Sequence, residues 1–346
     1  MTTVLYVLGT RPEVIRSARI LQILAADDDV NLVIVNTGQH YDERMMSGFL
    51  TELAVPPVDV DLAVGSADPV VQTARIIHEL AAVLEDVSPA VSCVFGDTNS
   101  TLGGAIAAVK AGVPLIHIEA GCRSFDPRMP EEVNRRVVDH ISSLLLAVSP
   151  LAAGNLEREH VLGEIRIVGD PQYDMFVEQT RDLDVAADEP RGLITLHRQE
   201  NADDPARLSE ILAGIAEGGD GLNWIFPVHP RTARRLPAVP SAIKTVEPLL
   251  YRELLKTLLG SSVCVTDSGG LQKEAFWARV PCVTVRETTE WLETVEQGAN
   301  ELAGPHDVSD AVARARSKHL TSEYENPYGD GRASEHIASI VKEWSR

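Results

Sequence analysis

The 346-residue sequence predicts two doubly wound α/β domains, each built on a parallel β-sheet, with a cleft between them. The first observation is an alternation of short β-branched runs with helical patterns, as in "AVSCVFGD" (90–97) followed by "STLGGAIAAVKAG" (100–112). The second is that these strands are apolar throughout, as strands covered on both faces are. The third is size, because a chain this long exceeds one ordinary hydrophobic core.

The predicted elements follow one another in two sets. The strand-like runs of the first set are 3–9, 31–38, 90–97, 113–121 and 144–149, and those of the second are 193–201, 222–229, 261–270 and 281–289. Between about 168 and 190, glycine, proline and charged residues replace the periodic apolar residues, which predicts a boundary there. We therefore assign residues 1–168 to the first domain, 169–330 to the second and 331–346 to a terminal helix.

Composition excludes several classes of partner. The formal net charge is -20, from 51 acidic and 31 basic residues, and it disfavours nucleic acid and anionic membranes. The four cysteines show no CxxC spacing, which favours a reducing cytoplasm without disulfides or structural zinc. The N-terminus lacks the pattern of a signal peptide, and no apolar run could span a membrane. We expect a soluble, cytoplasmic protein that holds any phosphate ligand in a local site.

The stretch "VTDSGGLQKEAFWA" (265–278) indicates an anion-binding turn. A strand ends at Asp267, Ser268-Gly269-Gly270 forms a tight turn, and the helix that follows would present free backbone amides to an anion. Glu274, one helical turn later, could accept hydrogen bonds from ribose hydroxyls. The alternative is an ordinary strand-to-helix turn in which Ser268 caps the helix.

The first strand-end turn, "LGTRPEVIRSARI" (8–20), places Arg11 and Arg16 near the start of a helix. Guanidinium groups are unfavourable at that end of a helix dipole unless an anion is nearby. Arg11 is the better placed, whereas Arg16 could equally be a solvated surface residue. The turn matches neither the Walker A nor the GxGxxG pattern, so neither of those nucleotide sites is supported.

Two histidines follow strands in the second half of the chain. His197 and Arg198 end one strand in "LITLHRQEN", and His229 and Arg231 follow the next in "IFPVHPR". A single histidine is more often a packed or surface residue than a functional one, but two strand-end pairs in one domain favour a role. No HExxH motif or other metal-ligand spacing is present.

Carboxylates follow neighbouring strands in the first half. Asp97 ends the strand of "FGDTNS", Glu119 ends the next in "IEAG", and Glu131 follows the connecting loop beside Glu132. Each has an ordinary explanation: Asp97 could cap a helix, Glu119 could pair with Arg123, and the glutamates could be favoured at a helix start. Because adjacent strand ends meet at one crevice, the set as a whole favours a catalytic site.

With these residues in view, the sequence resembles the non-hydrolysing UDP-N-acetylglucosamine 2-epimerases. The matching blocks run in the family's order from residue 9 to 331: "GTRPEVIR", "TGQHYD", "GDTNSTL", "HIEAGCRS", "PEEVNRR", "LHRQEN", "PVHPR", "TDSGGLQKEA", "RETTE" and "NPYGDG". The resemblance implies a GT-B fold of two Rossmann-like domains, with the C-terminal helix crossing back to the first. It also implies a cytoplasmic enzyme, commonly a homodimer.

The activity implied by the resemblance is reversible inversion at C2 of UDP-GlcNAc, by anti elimination of UDP to 2-acetamidoglucal and re-addition. No metal or other cofactor takes part. The implied catalytic residues are Asp97, Glu119, Glu131 and His197. The implied substrate-binding residues are Arg11, Arg16, Arg135, His229, Ser268, Gly269, Gly270, Glu274 and Glu290. Gln39 and His40 match a segment that contributes to a second, activating UDP-GlcNAc site in bacterial relatives.

Three departures from the family pattern bear on these expectations. Arg16 stands where the family usually has lysine, and Gln199 and Trp291 stand where it has arginine. Four other readings therefore stay open: a hydrolysing epimerase that releases ManNAc and UDP, an epimerase of a related 2-acetamido sugar nucleotide, a GT-B glycosyltransferase, and a nucleotide-sugar sensor without turnover. The three acids disfavour the transferase, because transfer does not need acids around C2.

Overall fold

The computed structural model describes residues 1–39, 53–185, 190–318, 320 and 325–346. Its contacts divide the chain into two compact units, one of residues 1–175 with 327–346 and one of residues 176–326. These divisions lie a few residues away from the boundaries predicted at 168 and 330. Within the described ranges, no helix is long and apolar enough to cross a membrane.

The first unit contains a parallel sheet. Over the described residues it has seven strands in the order β3-β2-β1-β4-β5-β6-β7. The strands are β1 (Thr2–Leu8), β2 (Val30–Asn36), β3 (Val60–Asp61), β4 (Val91–Phe95), β5 (Leu115–Ala120), β6 (Leu144–Ala147) and β7 (Glu164–Ile167). The helices that accompany them are α1 (Arg11–Ala25), α2 (Pro69–Val87), α3 (Asn99–Lys110), α4 (Pro130–Ile141), α5 (Pro150–Arg158) and α6 (Pro171–Thr180).

Helices cover both faces of this sheet, which explains its continuous apolar strands. Successive side chains of a strand point to opposite faces. In β1, Val4, Tyr6 and Leu8 belong to one buried cluster, and Leu5 and Val7 belong to another. Every residue of β4 and β5 is buried. The sheet is therefore doubly wound, as the sequence predicts.

The second unit repeats the architecture. Its described strands form a six-stranded parallel sheet in the order β10-β9-β8-β11-β12-β13. The strands are β8 (Arg191–Thr195), β9 (Asn223–Pro227), β10 (Ile243–Val246), β11 (Val263–Thr266), β12 (Cys282–Thr284) and β13 (Asn300–Leu302). The helices are α7 (Gln199–Ala202), α8 (Pro205–Gly218), α9 (Pro230–Ala233), α10 (Tyr251–Leu259), α11 (Gly269–Trp277), α12 (Leu292–Glu296) and α13 (Val308–Arg316).

The last helix, α14 (Ala333–Trp344), packs against α1 of the first unit. Its buried residues Ile337, Ala338 and Val341 join the same cluster as Leu21 and Leu24 of α1. The carboxylate of Asp174 accepts hydrogen bonds from the first amides of α14, from Ala333 at 3.1 Å and Ser334 at 2.6 Å. These bonds satisfy donors that a helix start would otherwise leave unpaired.

Candidate active site

The first candidate site lies at the carboxyl ends of the strands of the first sheet. β1 pairs with β2 on one side and with β4 on the other, so the strand order reverses at β1. Ligands of doubly wound proteins bind at the carboxyl ends of strands beside such a reversal. The predicted acids follow the strands next to this point: Asp97 lies two residues beyond β4, and Glu119 is the penultimate residue of β5.

Glu119 is buried and conformationally unusual. Its side chain is 5% exposed, its φ is 69°, and the pairing of β5 with β6 shifts register around it. Non-glycine residues rarely adopt positive φ, and those that do often lie at functional sites. Its carboxylate forms an ion pair with Arg16, not with Arg123 as one reading of the sequence suggests. Arg16 is therefore not a solvated surface residue.

The Arg16 guanidinium lies among several acids. It is 4.9 Å from the centre of the Phe95 ring, and its Nε donates to the carbonyl of Pro12 at 3.1 Å. Burial would lower the pKa of Arg16, but the carboxylates of Glu119, Asp97 and Asp170 outweigh burial and raise the pKa above its usual value. Asp170 is fully buried and was not singled out from the sequence.

Helix α4 holds Asp97 in place. The Asp97 carboxylate forms an ion pair with Arg135, and the side-chain amide of Asn134 donates to the backbone carbonyl of Asp97 at 2.8 Å. The Asp97 side chain keeps 22% of its surface exposed, so it can still meet a ligand. Arg135, expected to bind substrate, thus contacts one of the expected catalytic acids.

The neighbouring glutamates at the start of α4 have different environments. Glu132 is buried, accepts hydrogen bonds from the Ser124 amide and hydroxyl at 2.9 and 3.0 Å, and contacts Arg135 at 3.2 Å. Glu131 is half-buried and has no hydrogen bond or ion pair with any residue that the structure describes. Glu132 is therefore part of the scaffold, and Glu131 is available to a ligand.

Glu13 ties two strand-end turns together. Its buried carboxylate accepts from the amides of Gly9 and Thr10, both at 2.8 Å, and from the Thr98 hydroxyl at 2.6 Å. Burial raises the pKa of Glu13, although these hydrogen bonds oppose the shift. Arg11 is the first residue of α1, and its side chain lies outside the described part of the structure.

Gln39, expected to contribute to an activating site, is the last residue before a gap in the described range. The Gln39 side-chain oxygen accepts from the Ser100 amide at 3.0 Å and from the Ser100 hydroxyl at 2.7 Å. His40 lies outside the described residues. Gln39 is thus fixed against the start of α3.

The second candidate site is the turn between β11 and α11. Ser268 precedes the helix as its N-cap, and its hydroxyl accepts from the Leu271 amide at 3.4 Å. Among the residues that the structure describes, a Cβ built on Gly269 would lie near the Trp291 Nε1 alone, at 3.7 Å. The backbone is therefore approachable at Gly269. The capping role and an anion-binding role are compatible, because the Ser268 hydroxyl satisfies only one of the first amides.

The Asp267 carboxylate orients His197. This buried carboxylate accepts from the backbone amides of His197 and Arg198 at 3.0 and 2.9 Å and from the side-chain amide of Asn201 at 3.1 Å. The His197 Nδ1 lies 3.3 Å from Asp267, and the His197 side chain is 39% exposed. The ring centre of His229 lies 5.7 Å from that of His197. The two predicted strand-end histidines are therefore neighbours.

The remaining predicted residues of the second unit are buried and hydrogen-bonded. Glu274 accepts from the Tyr251 hydroxyl at 2.8 Å. Glu290 forms a bidentate ion pair with Arg286 at 2.9 and 3.1 Å. Trp291, where the family usually has arginine, stacks under the buried Lys273 ammonium, which lies 3.7 Å from its ring centre.

Comparisons with known proteins identify the family. Residues 22–342 match the family model described as UDP-N-acetylglucosamine 2-epimerase. The UDP-N-acetylglucosamine 2-epimerase of Methanocaldococcus jannaschii is 38% identical, with 97% of each chain covered. The UDP-2,3-diacetamido-2,3-dideoxy-D-glucuronate 2-epimerase of Pseudomonas aeruginosa is also 38% identical, covering 98% of this chain and 99% of that one.

Solved structures agree with the sequence matches. The M. jannaschii UDP-GlcNAc 2-epimerase in complex with UDP-GlcNAc and UDP has a TM-score of 0.91 at 37% identity, with 99% of this chain and 100% of that chain covered. The Neisseria meningitidis enzyme bound to UDP-GlcNAc has a TM-score of 0.88 at 26% identity, with the same coverage. These matches confirm the predicted GT-B fold class, and the chain belongs to the UDP-N-acetylglucosamine 2-epimerase family.

Proposed function

We propose that this protein catalyses the reversible conversion of UDP-GlcNAc to UDP-ManNAc without net hydrolysis. The observation that carries the proposal is the arrangement of acids in the first unit. Asp97 and Glu119 follow neighbouring strands and are each paired with an arginine, and Glu131 has no partner among the described residues. Such a set can exchange a proton with a substrate and stabilise a positive centre.

The chemistry requires both functions. The proton at C2 of a sugar without a neighbouring carbonyl is hardly acidic, so cleavage of the C1–O bond has to run ahead of its removal. The bonding electron pair leaves with UDP, C1 gains positive charge, and loss of the C2 proton to a carboxylate forms the C1–C2 double bond of 2-acetamidoglucal. UDP then adds back to C1 while a carboxylic acid returns a proton to the other face of C2.

The proposed roles follow the environments of the three acids. Glu119, buried against Arg16, is assigned to stabilise the positive charge at C1. Asp97 and Glu131 are assigned to the two faces of C2, one removing the proton and the other supplying it. General acid–base catalysis of this kind typically contributes about 10²–10⁴-fold.

The second unit is proposed to bind the UDP moiety. The first amides of α11, at Gly269 and Gly270, can donate to phosphate oxygens, and the helix dipole favours negative charge there. His197, oriented by Asp267, would add a donor, with Arg11 and His229 as further ligands. One Glu274 oxygen already accepts from Tyr251, and the carboxylate would bind ribose hydroxyls with its remaining acceptor sites.

A second candidate substrate is UDP-2,3-diacetamido-2,3-dideoxyglucuronate. The P. aeruginosa epimerase of that sugar is as similar in sequence as the M. jannaschii enzyme. Both substrates share the 2-acetamido group and the UDP leaving group, so the same acids would serve. The two differ in their C3 and C6 substituents.

The test is incubation with UDP-GlcNAc in D₂O, followed by NMR of the products. We expect deuterium at C2 of both epimers, with UDP still attached. Free ManNAc and UDP as main products would establish the hydrolysing reaction instead. Turnover of the diacetamidoglucuronate sugar alone would select the second substrate, and inertness towards both would overturn the proposal in favour of a sensor.

Three further expectations stay predictions. A homodimer is tested by size-exclusion chromatography with light scattering, and a cytoplasmic location by cell fractionation. Activation by UDP-GlcNAc through Gln39 and His40 is tested by adding UDP-GlcNAc to the reverse reaction. A lag or sigmoidal rate that UDP-GlcNAc abolishes would support it.

A further inference from the structure

A buried carboxylate holds the chain on both sides of Glu119. One oxygen of Asp139 lies 2.6 Å from the His117 Nδ1, two residues before Glu119. The other accepts from the Gly121 amide at 3.2 Å, two residues after Glu119, and from Arg123 at 2.7 Å. Asp139, His117 and Arg123 are fully buried. Asp139 therefore fixes the segment that carries the positive φ of Glu119.

The backbone at Gly121 confirms how closely this segment is packed. Gly121 has a φ of 81°, and a Cβ there would lie 2.2 Å from the Ala152 carbonyl oxygen. The Asn155 side chain donates to the Gly121 carbonyl at 2.9 Å. The peptide after Glu119 thus has little freedom to move.

His117 extends this hold to the second acid. Its Nε2 lies 2.7 Å from the carbonyl oxygen of Gly96, the residue before Asp97. The Gly96 amide in turn donates to the Ile118 carbonyl at 2.9 Å, one residue before Glu119. A carbonyl oxygen can only accept. The His117 Nε2 therefore donates to the Gly96 carbonyl, and the His117 Nδ1 is hydrogen-bonded to Asp139, so the ring is held at both ends.

We propose that His117, oriented by Asp139, is a positioning residue that fixes Asp97 and Glu119 relative to each other. The His117 ring contacts the Gly96 carbonyl, next to Asp97, on one side. On the other side it contacts Asp139, whose carboxylate holds the backbone near Glu119 at Gly121. This inference rests on the proposed function, because it assigns the pair a part in the C2 chemistry. A shift of about 1 Å in a catalytic group can cost about 10²-fold in rate.

The matched variants are His117→Gln and Ser142→Ala. His117→Gln keeps a donor and a similar length but cannot hydrogen-bond to Gly96 and Asp139 as a planar ring does. Ser142 follows α4, is buried, and donates to the Val138 carbonyl at 2.7 Å, so its loss also removes a buried hydrogen bond. Ser142 forms no hydrogen bond with His117 or Asp139.

The readouts are kcat and KM for C2 epimerisation, UDP affinity by calorimetry, and thermal unfolding. We expect His117→Gln to lower kcat by about 10²-fold, with little change in KM or UDP affinity, and Ser142→Ala to retain wild-type kcat. A folded His117→Gln protein with wild-type kcat would overturn the positioning role. A wild type that epimerises neither substrate would refute the proposed function itself.

A measurement on the wild type covers the case in which His117→Gln does not fold. In ¹⁵N NMR of the histidine-labelled protein, assigned through its backbone resonances, the His117 Nε2 should carry a slowly exchanging proton, because it donates to the buried Gly96 carbonyl. An Nε2 without a proton would contradict the hydrogen bond to Gly96 and overturn the proposal.

Discussion

The carboxylate of Glu119 forms an ion pair with the guanidinium of Arg16, although the two residues are 103 positions apart in the chain. Arg16 belongs to the helix after β1, and Glu119 to β5, which β4 separates from β1 in the sheet. This pairing bears on the role of Arg16, which the sequence suggests as a substrate-binding residue. Its charge is already offset by an acid that the proposed mechanism uses.

Replacement of Arg16 should therefore depend on the charge of the new side chain. Arg16→Gln leaves Glu119 buried without its cation, and we expect kcat for epimerisation to fall by about 10²-fold through misplacement of that acid. Arg16→Lys keeps a cation, as most of the family does, and should stay within about tenfold of wild type, because one nitrogen of Arg16, Nη1, contacts both Glu119 oxygens and an ammonium can do the same. Equal activity of the two variants would show that the ion pair does not position Glu119.

Replacement by glutamine should lower the activity at Glu131 and the stability at Glu132. Glu131→Gln should lower kcat by about 10²–10⁴-fold, because it removes a proposed acid–base group. It should leave urea unfolding unchanged, since Glu131 has no hydrogen bond or ion pair with the described residues. Glu132→Gln should lower the free energy of unfolding by about 1–3 kcal/mol, because its carboxylate holds Ser124 and Arg135. An active Glu131→Gln protein would remove Glu131 from the mechanism.

The fold was predictable because it depends on local patterns. Continuous apolar runs such as β4 occur when both faces of a strand are covered, and the βα alternation implies parallel pairing. The same rule brings Asp97 and Glu119 to adjacent strand ends. This rule applies without knowing which side chains pair with one another.

The partners themselves were not predictable. Whether Glu119 meets Arg16 or Arg123 depends on which face of a helix turns towards the sheet, and charges at distant positions carry no periodic signal. Asp139 and His117 were missed for the same reason, although His117 lies within the quoted "HIEAG" block. The available signal was that His117 lies inside an otherwise largely apolar strand. A buried polar side chain needs hydrogen-bond partners, so its presence there indicates a buried polar contact.

Gly269→Ala tests the anion-binding turn with little disturbance of the fold. Of the described residues, the new Cβ would contact Trp291 alone, at 3.7 Å, which is an ordinary van der Waals distance. It would stand where phosphate oxygens approach the first amides of α11, so we expect UDP affinity by calorimetry to fall at least about tenfold, or about 1.4 kcal/mol. Gly154→Ala in α5 is the control, since a Cβ there would have no atom of another described part of the chain within 4 Å. Unchanged UDP affinity in Gly269→Ala would place the diphosphate elsewhere.

Arg123→Met should be strongly destabilising, whereas Arg128→Met should not. Arg123 is fully buried between Asp139 and Glu159, at 2.7 and 2.8 Å, and its removal leaves the Asp139 charge buried with less compensation. Loss of one partner of such a pair costs about 3–5 kcal/mol. Arg128 is 73% exposed beside Asp126, and its loss should cost about 1 kcal/mol or less. Urea unfolding of both variants checks the contrast, and similar losses would contradict it.

Ionised Asp139 should stabilise the folded protein, and this contribution to the free energy of unfolding should be lost at acid pH. Burial alone would raise the pKa of Asp139, but His117 and Arg123 outweigh it and hold the pKa below its usual value of 3.8. The folded state therefore binds this proton less readily than the unfolded state, so the stabilisation is present above 3.8 and is lost as the pH falls through the folded-state pKa. The difference in unfolding free energy between wild type and Asp139→Asn should accordingly shrink as the pH falls below that value. A difference that grows on acidification would mean that Asp139 is protonated in the folded protein.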